Sequence, residues 1–425
     1  MAEKLTVKNF AGITDLEIEI KRINILIGPQ ASGKSVCAKL LFYFKNFVWE
    51  ILSVVENEQT KRTLDSNYSK KFEEYFPPDS WGKEYFFIRY EIANVFIEVR
   101  KEATKGKISF SYSEFFKKEL TELRNLFKKA REKNSEKNAR YYGSNPLYLS
   151  KVLKDNLVEF LVTSIGPEAA FTQLFIPAGR SFFANLQNNI FSFLSSNNAL
   201  DPFLREFGST YESIKRLRLV SRGRVGEKDA KDIQQEEINR LIEKSLCGKH
   251  VHEKGKDFLE VADGRRISIA NSSSGQQETL PLTIMLAALS ILFSSYTVYI
   301  EEPEAHLFPS AQRSVVELIA SVFNCRKEQL QFFITTHSPY VLTAFNNLLQ
   351  AGLLYQESSG DMQRQLEKIV SRYKSLDVSD LSAYVLMDGK CRSIVCPETG
   401  LIDAKVIDSV SDDLAIEFEQ LLNLV

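Results

Sequence analysis

The chain has 425 residues, 44% of them hydrophobic and 26% charged, with a formal net charge of −1; this allows a large core with attached lobes and excludes bulk attraction to nucleic acid, though not a local basic face. No uninterrupted apolar stretch reaches the ~18 residues of a membrane span and the N-terminus lacks a basic-plus-apolar signal sequence, so a cytoplasmic protein without membrane contact is expected. Five cysteines, an odd number with no paired C-x-x-C spacing, read as reduced thiols and exclude a disulfide framework or a zinc site.

The apolar run Ile23-Asn24-Ile25-Leu26-Ile27 predicts a buried strand, and Gly28-Pro29-Gln30-Ala31-Ser32-Gly33-Lys34-Ser35 follows it directly. The spacing G-x-x-x-x-G-K-S fits a phosphate cradle: glycines let backbone N–H groups close around phosphates, Lys34 reaches the β/γ oxygens and Ser35 places a hydroxyl on Mg²⁺. A helix expected from about Ser35 to Phe47 adds its positive N-terminal dipole. This chain is therefore expected to bind a nucleoside triphosphate.

From Lys101 to Arg140 twelve Lys/Arg stand against six Asp/Glu. Glu114 to Lys137 reads as a charged helix with apolar Phe115, Leu120, Leu123, Leu126 and Phe127, an inserted arm too short for a long coiled coil. Its positive charge suits a solvated face or contact with DNA, RNA or an acidic protein alike. A second basic cluster, Lys215, Arg216, Arg218, Arg222 and Arg224, lies beside Gly223 and Gly226 in an expected loop, without the aromatic interleaving of a nucleic-acid reader.

Asp257 to Ala270 predicts a hairpin turning at Asp263-Gly264. It leads into Asn271-Ser272-Ser273-Ser274-Gly275-Gln276-Gln277-Glu278, small residues opening a helix, which can make an anion site or an ordinary serine cap. Thr297 to Ile300 predicts a core strand that carries Glu301 and Glu302 to the sheet edge where open α/β sheets bind ligands. There Glu301 suits the metal shell and Glu302 suits the water attacking a γ-phosphate. A second buried strand, Gln331 to Ile334, ends on Thr335-Thr336-His337-Ser338-Pro339, where His337 can reach the γ-phosphate. Beyond it come a second hairpin signal around Asp388-Gly389 and an amphipathic helix from Asp412 to Leu424.

In this order, P-loop, S-S-S-G-Q, acidic strand and T-H-S-P resemble the ATP-binding-cassette ATPases of the soluble SMC/RecF/Rad50/OLD branch. The look is nearest the AAA_15/AAA_21 type, whose chains begin like Leu5-Thr6-Val7-Lys8-Asn9-Phe10-Ala11-Gly12-Ile13 and carry E-E-P-E-A-H-L before T-T-H-S-P. The resemblance implies an α/β P-loop NTPase head of ABC type, two-lobed with mixed sheets, flanking helices and an inserted helical arm. Its expected parts are an N-terminal lobe at 1–100, the basic arm at 101–165, a C-terminal lobe at 166–350 and a small extension at 351–425.

It further implies ATP and Mg²⁺ at a composite site between two copies, with Gly28 to Ser35 on the phosphates and Ser273, Gly275 and Gln276 facing the nucleotide of the other subunit. Carried over, Ser35 and Glu301 hold Mg²⁺, Glu301 takes the Walker B position, Glu302 is the catalytic base and His337 the switch histidine. Gln173 is the candidate Q-loop residue, and Phe175 to Ser181 looks like a segment of this branch that puts Arg180 near the nucleotide or the dimer seam. Glu301 stands where many relatives have Asp and Gln30 where the branch often has Asn, which fits a slow ATPase.

OLD-type relatives append a nuclease, whereas about eighty residues follow T-H-S-P here with no E…D-x-D pattern. The effector is therefore expected to be a separate protein, such as a toxic nuclease. Stand-alone heads of this kind resemble the ATPase subunits of two-component antiphage systems of PARIS, Septu and retron-associated type, in which a viral protein is the trigger. The alternative is a RecF/SMC-like repair ATPase that clamps DNA on binding ATP.

Overall fold

Two kinds of strand build the central sheet in the computed structural model, which describes residues 2–82, 85–102, 108–137, 146–185, 200–216, 230–253, 255–403 and 409–422. In β1 (Glu3–Phe10) and β2 (Ile13–Glu19) apolar and polar residues alternate; Leu16 and Ile18 are buried while Glu17 and Glu19 face solvent. Such strands suit an antiparallel sheet covered on one face. β3 (Ile23–Ile27) is buried at every position, as a strand covered on both faces must be.

Helices α1 (Lys34–Lys45), α2 (Phe47–Glu56) and α3 (Lys61–Tyr75) follow. The expected Ser35–Phe47 helix thus ends at Asn46, whose side-chain amide donates to the Phe42 carbonyl, and the chain resumes as α2. Strands β4 (Phe86–Ile92), β5 (Val95–Lys101) and β6 (Ile108–Tyr112) extend the antiparallel ladder from β1. α4 (Glu114–Lys137) spans the residues read as a charged helix. Its Phe116, Leu120 and Leu123 are buried with α2 and with Leu153, Leu157 and Leu161 of α5 (Pro146–Ser164), so the base of the arm belongs to the first core.

Next come β7 (Thr172–Ile176), α6 (Ser181–Asn185), α7 (Pro202–Arg216), α8 (Ala230–Leu246) and a small antiparallel sheet of β8 (Lys249–Glu253), β9 (Lys256–Glu260) and β10 (Arg266–Ser268). The hairpin read at Asp263-Gly264 is β9–β10, and it hands the chain to α9 (Ser274–Ile291). β11 (Tyr296–Glu301), α10 (Pro309–Cys325), β12 (Leu330–Thr336), α11 (Pro339–Glu357), α12 (Asp361–Ile369), β13 (Leu381–Met387), β14 (Lys390–Ser393) and α13 (Ser409–Leu422) complete the order.

The large sheet runs β6-β5-β4-β1-β2-β14-β13-β3-β12-β11-β7. Residues 351–425, expected as a small extension, supply two of its strands. β13 pairs in parallel with β3, from Leu381 opposite Ile23 to Val385 opposite Ile27. The reason lies in β3, which is covered on both faces and needs a neighbour at each edge; β12 fills one and β13 the other. Asp388 (φ 52) and Gly389 (φ 74) then turn the chain into β14. One core fills the space between the antiparallel strands and α1 to α5, reaching Tyr299 and Phe333. The other lies among β3, β11, β12 and α6 to α11. Among the described residues no helix is long and apolar enough to cross a membrane.

Candidate nucleotide site

The parallel strands bring their ends to one edge: Ile27 pairs with Thr336, and Thr335 with Glu301. At that edge such sheets place their ligands. At the end of β3, a Cβ on residue 28 would stand 2.1 Å from the Leu386 backbone oxygen, so only glycine lets the loop begin beneath β13. The loop passes through Ala31 (φ 60) and Gly33 (φ 101) into α1, leaving Pro29, Gln30, Ala31 and Ser35 exposed and Ser32 half-buried.

Lys34 is 5% exposed. Its ammonium donates to the carbonyls of Gly28 (2.8 Å) and Pro29 (2.6 Å) and lies 3.2 Å from His337 Nδ1. Burial depresses its pKa to about 8, against the opposing pull of Glu302 and Glu304. His337 Nε2 lies 3.0 Å from Glu302 Oε1. Because Lys34 can only donate, Nδ1 accepts, and the neutral ring carries its proton on Nε2 toward Glu302. Lys34, His337 and Glu302 form one chain of hydrogen bonds. Glu302 itself has φ 44, a left-handed conformation held by its amide donating to the Thr335 carbonyl.

Glu301 is 6% exposed. One carboxylate oxygen accepts from the Ala178 amide at 3.2 Å, and the other is buried without a hydrogen-bond partner. Glu304 accepts from Thr336 Oγ1 and the His337 amide, both at 2.7 Å, and its second oxygen is likewise buried and unpaired. Unpaired carboxylate oxygens are what a hard cation or water satisfies, so Glu301 with the exposed Ser35 hydroxyl fits Mg²⁺. Among the described residues no three His, Cys, Asp or Glu side chains form a ready metal cage, as is usual where Mg²⁺ is held largely through substrate phosphates.

The S-S-S-G-Q segment opens α9. Ser273 caps α9: its hydroxyl accepts from the Gln276 amide, and the Gln276 side chain accepts from the Ser273 amide, a capping box. Gln276 also donates to the Leu246 carbonyl. A Cβ on Gly275 would stand 2.6 Å from the His306 carbonyl oxygen, so this glycine lets α9 pack on the turn after Glu302. Within one chain Ser273 and Gly275 serve the cap and this packing and make no hydrogen bond to the P-loop.

One expectation changes. Gln173 is buried within β7, donating to the Phe171 carbonyl and accepting from the Tyr299 hydroxyl; opposite Thr297 in the ladder, it sits short of the ligand edge. Arg180, expected near the nucleotide or the dimer seam, is 1% exposed and lies against the backbone of the Glu301–Glu302 turn. Its guanidinium donates to the carbonyls of Pro177, Glu301 and Glu302 and to that of Glu278, since a planar fork with no acceptor is satisfied by converging carbonyls. Glu278 and Glu304 were not read from the sequence. The first gives a signal only as the one charged residue of its helix, the second as the last acid of E-E-P-E. Of the basic cluster, Lys215 pairs with buried Asp257 at 2.7 Å, while Arg218, Arg222 and Arg224 lie outside the described residues.

A strand-loop-helix lysine cradle, a strand ending on paired acids and a histidine on the adjacent strand, all on one parallel edge, define a P-loop ATPase head. The chain belongs to the AAA ATPase domain family (AAA_15), whose profile matches residues 1–342. It is 29% identical over 96 residues to the "Retron Vc95 probable ATPase" of Vibrio cholerae serotype O1 biovar El Tor, a match covering 20% of this chain and 18% of that protein; the chain thus spans less than a fifth of that relative. Among solved structures it is similar to the SMC head domain from Thermotoga maritima, with 13% identity, a TM-score of 0.37 and coverage of 92% of this chain and 98% of that one. It is also similar to the recombination mediator protein RecF-ATP, with 12% identity, a TM-score of 0.32 and coverage of 92% and 99%.

Proposed function

We propose that this head binds MgATP and hydrolyses it slowly at a site shared by two copies. The observation that carries this is the Lys34–His337–Glu302 chain, which joins the phosphate-binding cation to a carboxylate through a neutral imidazole. When ATP enters, Lys34 exchanges the Gly28 and Pro29 carbonyls for β/γ oxygens. Glu302 takes a proton from the attacking water as its oxygen bonds to the γ-phosphorus and the bond to the β-phosphate oxygen breaks; His337, bonded to Glu302, holds that carboxylate in place. Ser35 and Glu301 would hold Mg²⁺, which when bound neutralises charge on the phosphate oxygens. Ser273 and Gly275 of the second copy would close over the γ-phosphate.

The head is read further as the sensor and regulatory subunit of a cytoplasmic antiviral system, self-associating and restraining a separate toxic nuclease until a viral protein binds. The order of its motifs and the retron-associated name of the Vibrio relative support this reading. The test is the solution mass of Glu302→Gln protein by light scattering. A mass that doubles on adding MgATP is expected. A monomer unchanged by MgATP would refute the shared site. ATP-dependent, salt-sensitive affinity for duplex DNA in the same protein would replace the defence reading with DNA clamping.

A further inference from the structure

The loop Pro177–Ser181 touches two parts of the machinery that the sequence separates by more than twenty residues. On one side the Ala178 amide donates to the Glu301 carboxylate, and the Arg180 guanidinium donates to the Glu301 (2.7 Å) and Glu302 (3.0 Å) carbonyls. On the other side the Arg180 amide donates to Glu278 Oε2 (2.9 Å), and Ser181 donates from its amide and hydroxyl to Glu278 Oε1 (3.1 and 2.7 Å). Arg180 Nε also donates to the Glu278 carbonyl at 3.2 Å. Glu278 lies in the first turns of α9, five residues after Ser273, and Gly275 is pressed on the His306 carbonyl from the other flank. Both charges are buried, and both carboxylate oxygens of Glu278 are used. The start of α9 therefore cannot shift against the Glu301–Glu302 turn without breaking hydrogen bonds between buried groups.

We infer that Arg180 is a positioning residue that couples two nucleotide sites: it ties the carboxylate turn serving a subunit's own P-loop to the Ser273 cap that the same subunit lends to its partner. The inference rests on the shared-site reading above. In that arrangement Arg180 acts on two sites at once. It sets Glu301 and Glu302 in its own subunit and Ser273 across the seam. A change of the carboxylate turn when one site fills is thereby passed to the other.

The test uses mixed dimers with a single complete site. Lys34→Ala subunits keep the cap but lack a working P-loop, and Ser273→Arg subunits keep the P-loop but lack the cap, so their mixture holds one active arrangement per heterodimer. Arg180→Lys, which keeps the charge but loses the planar fork, is then added to the Lys34→Ala subunit only. Turnover at the partner's P-loop should fall at least fivefold in kcat while binding of a fluorescent ATP analogue to that P-loop changes less than twofold. Glu278→Gln placed in the same subunit should act in the same direction, and it serves if Arg180→Lys does not fold. Turnover within twofold of the parent mixture, with either variant folded by circular dichroism, would overturn the coupling. A parent mixture with no turnover at all would refute the shared site itself and is read before either variant is made.

Discussion

The buried lysine of the phosphate loop gives a pH dependence whose sign and size follow from the structure. Lys34 has a pKa near 8 instead of 10.5 because burial penalises its charge. Between these two values the folded chain binds fewer protons at this residue than the unfolded chain. Stability therefore rises with pH across that window, and the penalty, about 3 kcal/mol at 1.36 kcal/mol per pH unit, is fully present only below pH 8. ATP needs the ammonium, so the free enzyme must be protonated at Lys34 before it binds. Its apparent Kd should be level up to pH 7.5, double near pH 8 and rise about tenfold by pH 9, or about 1.4 kcal/mol. The assay is titration with a fluorescent ATP analogue from pH 7 to 9.5 at fixed ionic strength, since salt screens the same interaction. Lys34→Met should bind no ATP, yet at pH 7 it should be the more stable apoprotein by up to about 3 kcal/mol, worth about 3 °C in Tm for a chain of this length. Wild-type affinity unchanged to pH 9.5 would refute both the depressed pKa and the placement of this ammonium on phosphate.

Glu302→Gln should retain ATP binding and lose turnover by about 10² to 10⁴-fold; steady-state phosphate release measures it, and near-normal rates would move the base elsewhere. Gly28→Ala forces a methyl into the Leu386 carbonyl, an overpacking of about 1–3 kcal/mol that should appear as a lower Tm together with loss of nucleotide binding. Gly275→Ala meets the His306 carbonyl instead, so turnover should fall while the isolated P-loop still binds ATP; reduced binding with normal turnover would contradict the assignment.

The elements legible in the sequence are those whose signal is local. A run buried on both faces followed by glycines gives β3 and its loop, and apolar spacing with flanking charge gives α4 over the residues read for it. Asp263-Gly264 and Asp388-Gly389 mark their turns because left-handed backbone favours such pairs. What escaped reading is decided by partners distant in the chain. Nothing near Leu381 announces that it pairs with Ile23. Gln173 looks like a free polar group at the start of an apolar run, yet Tyr299 and the Phe171 carbonyl use both ends of its amide. Arg180 shows its charge in the sequence but not its acceptors, two of which are the backbone oxygens of Glu301 and Glu302, more than a hundred residues away.

The resting hydrogen bonds also explain how occupancy of the loop would be felt at the carboxylates. Lys34 spends its donors on Gly28, Pro29 and the acceptor nitrogen of His337. Phosphate oxygens compete for all three, and an ammonium drawn to them releases Nδ1. The imidazole that loses this donor is still held by Glu302 through Nε2, and its backbone amide is still held by Glu304. A ring that turns toward a new partner would pull on the Glu302 carboxylate bonded to it. Since Glu302 already sits in a strained left-handed conformation, a small torque there moves the proposed base without unfolding the turn. The Arg180 fork on the Glu301 and Glu302 carbonyls would then pass the motion to α9, and so to the Ser273 cap proposed to serve the second copy.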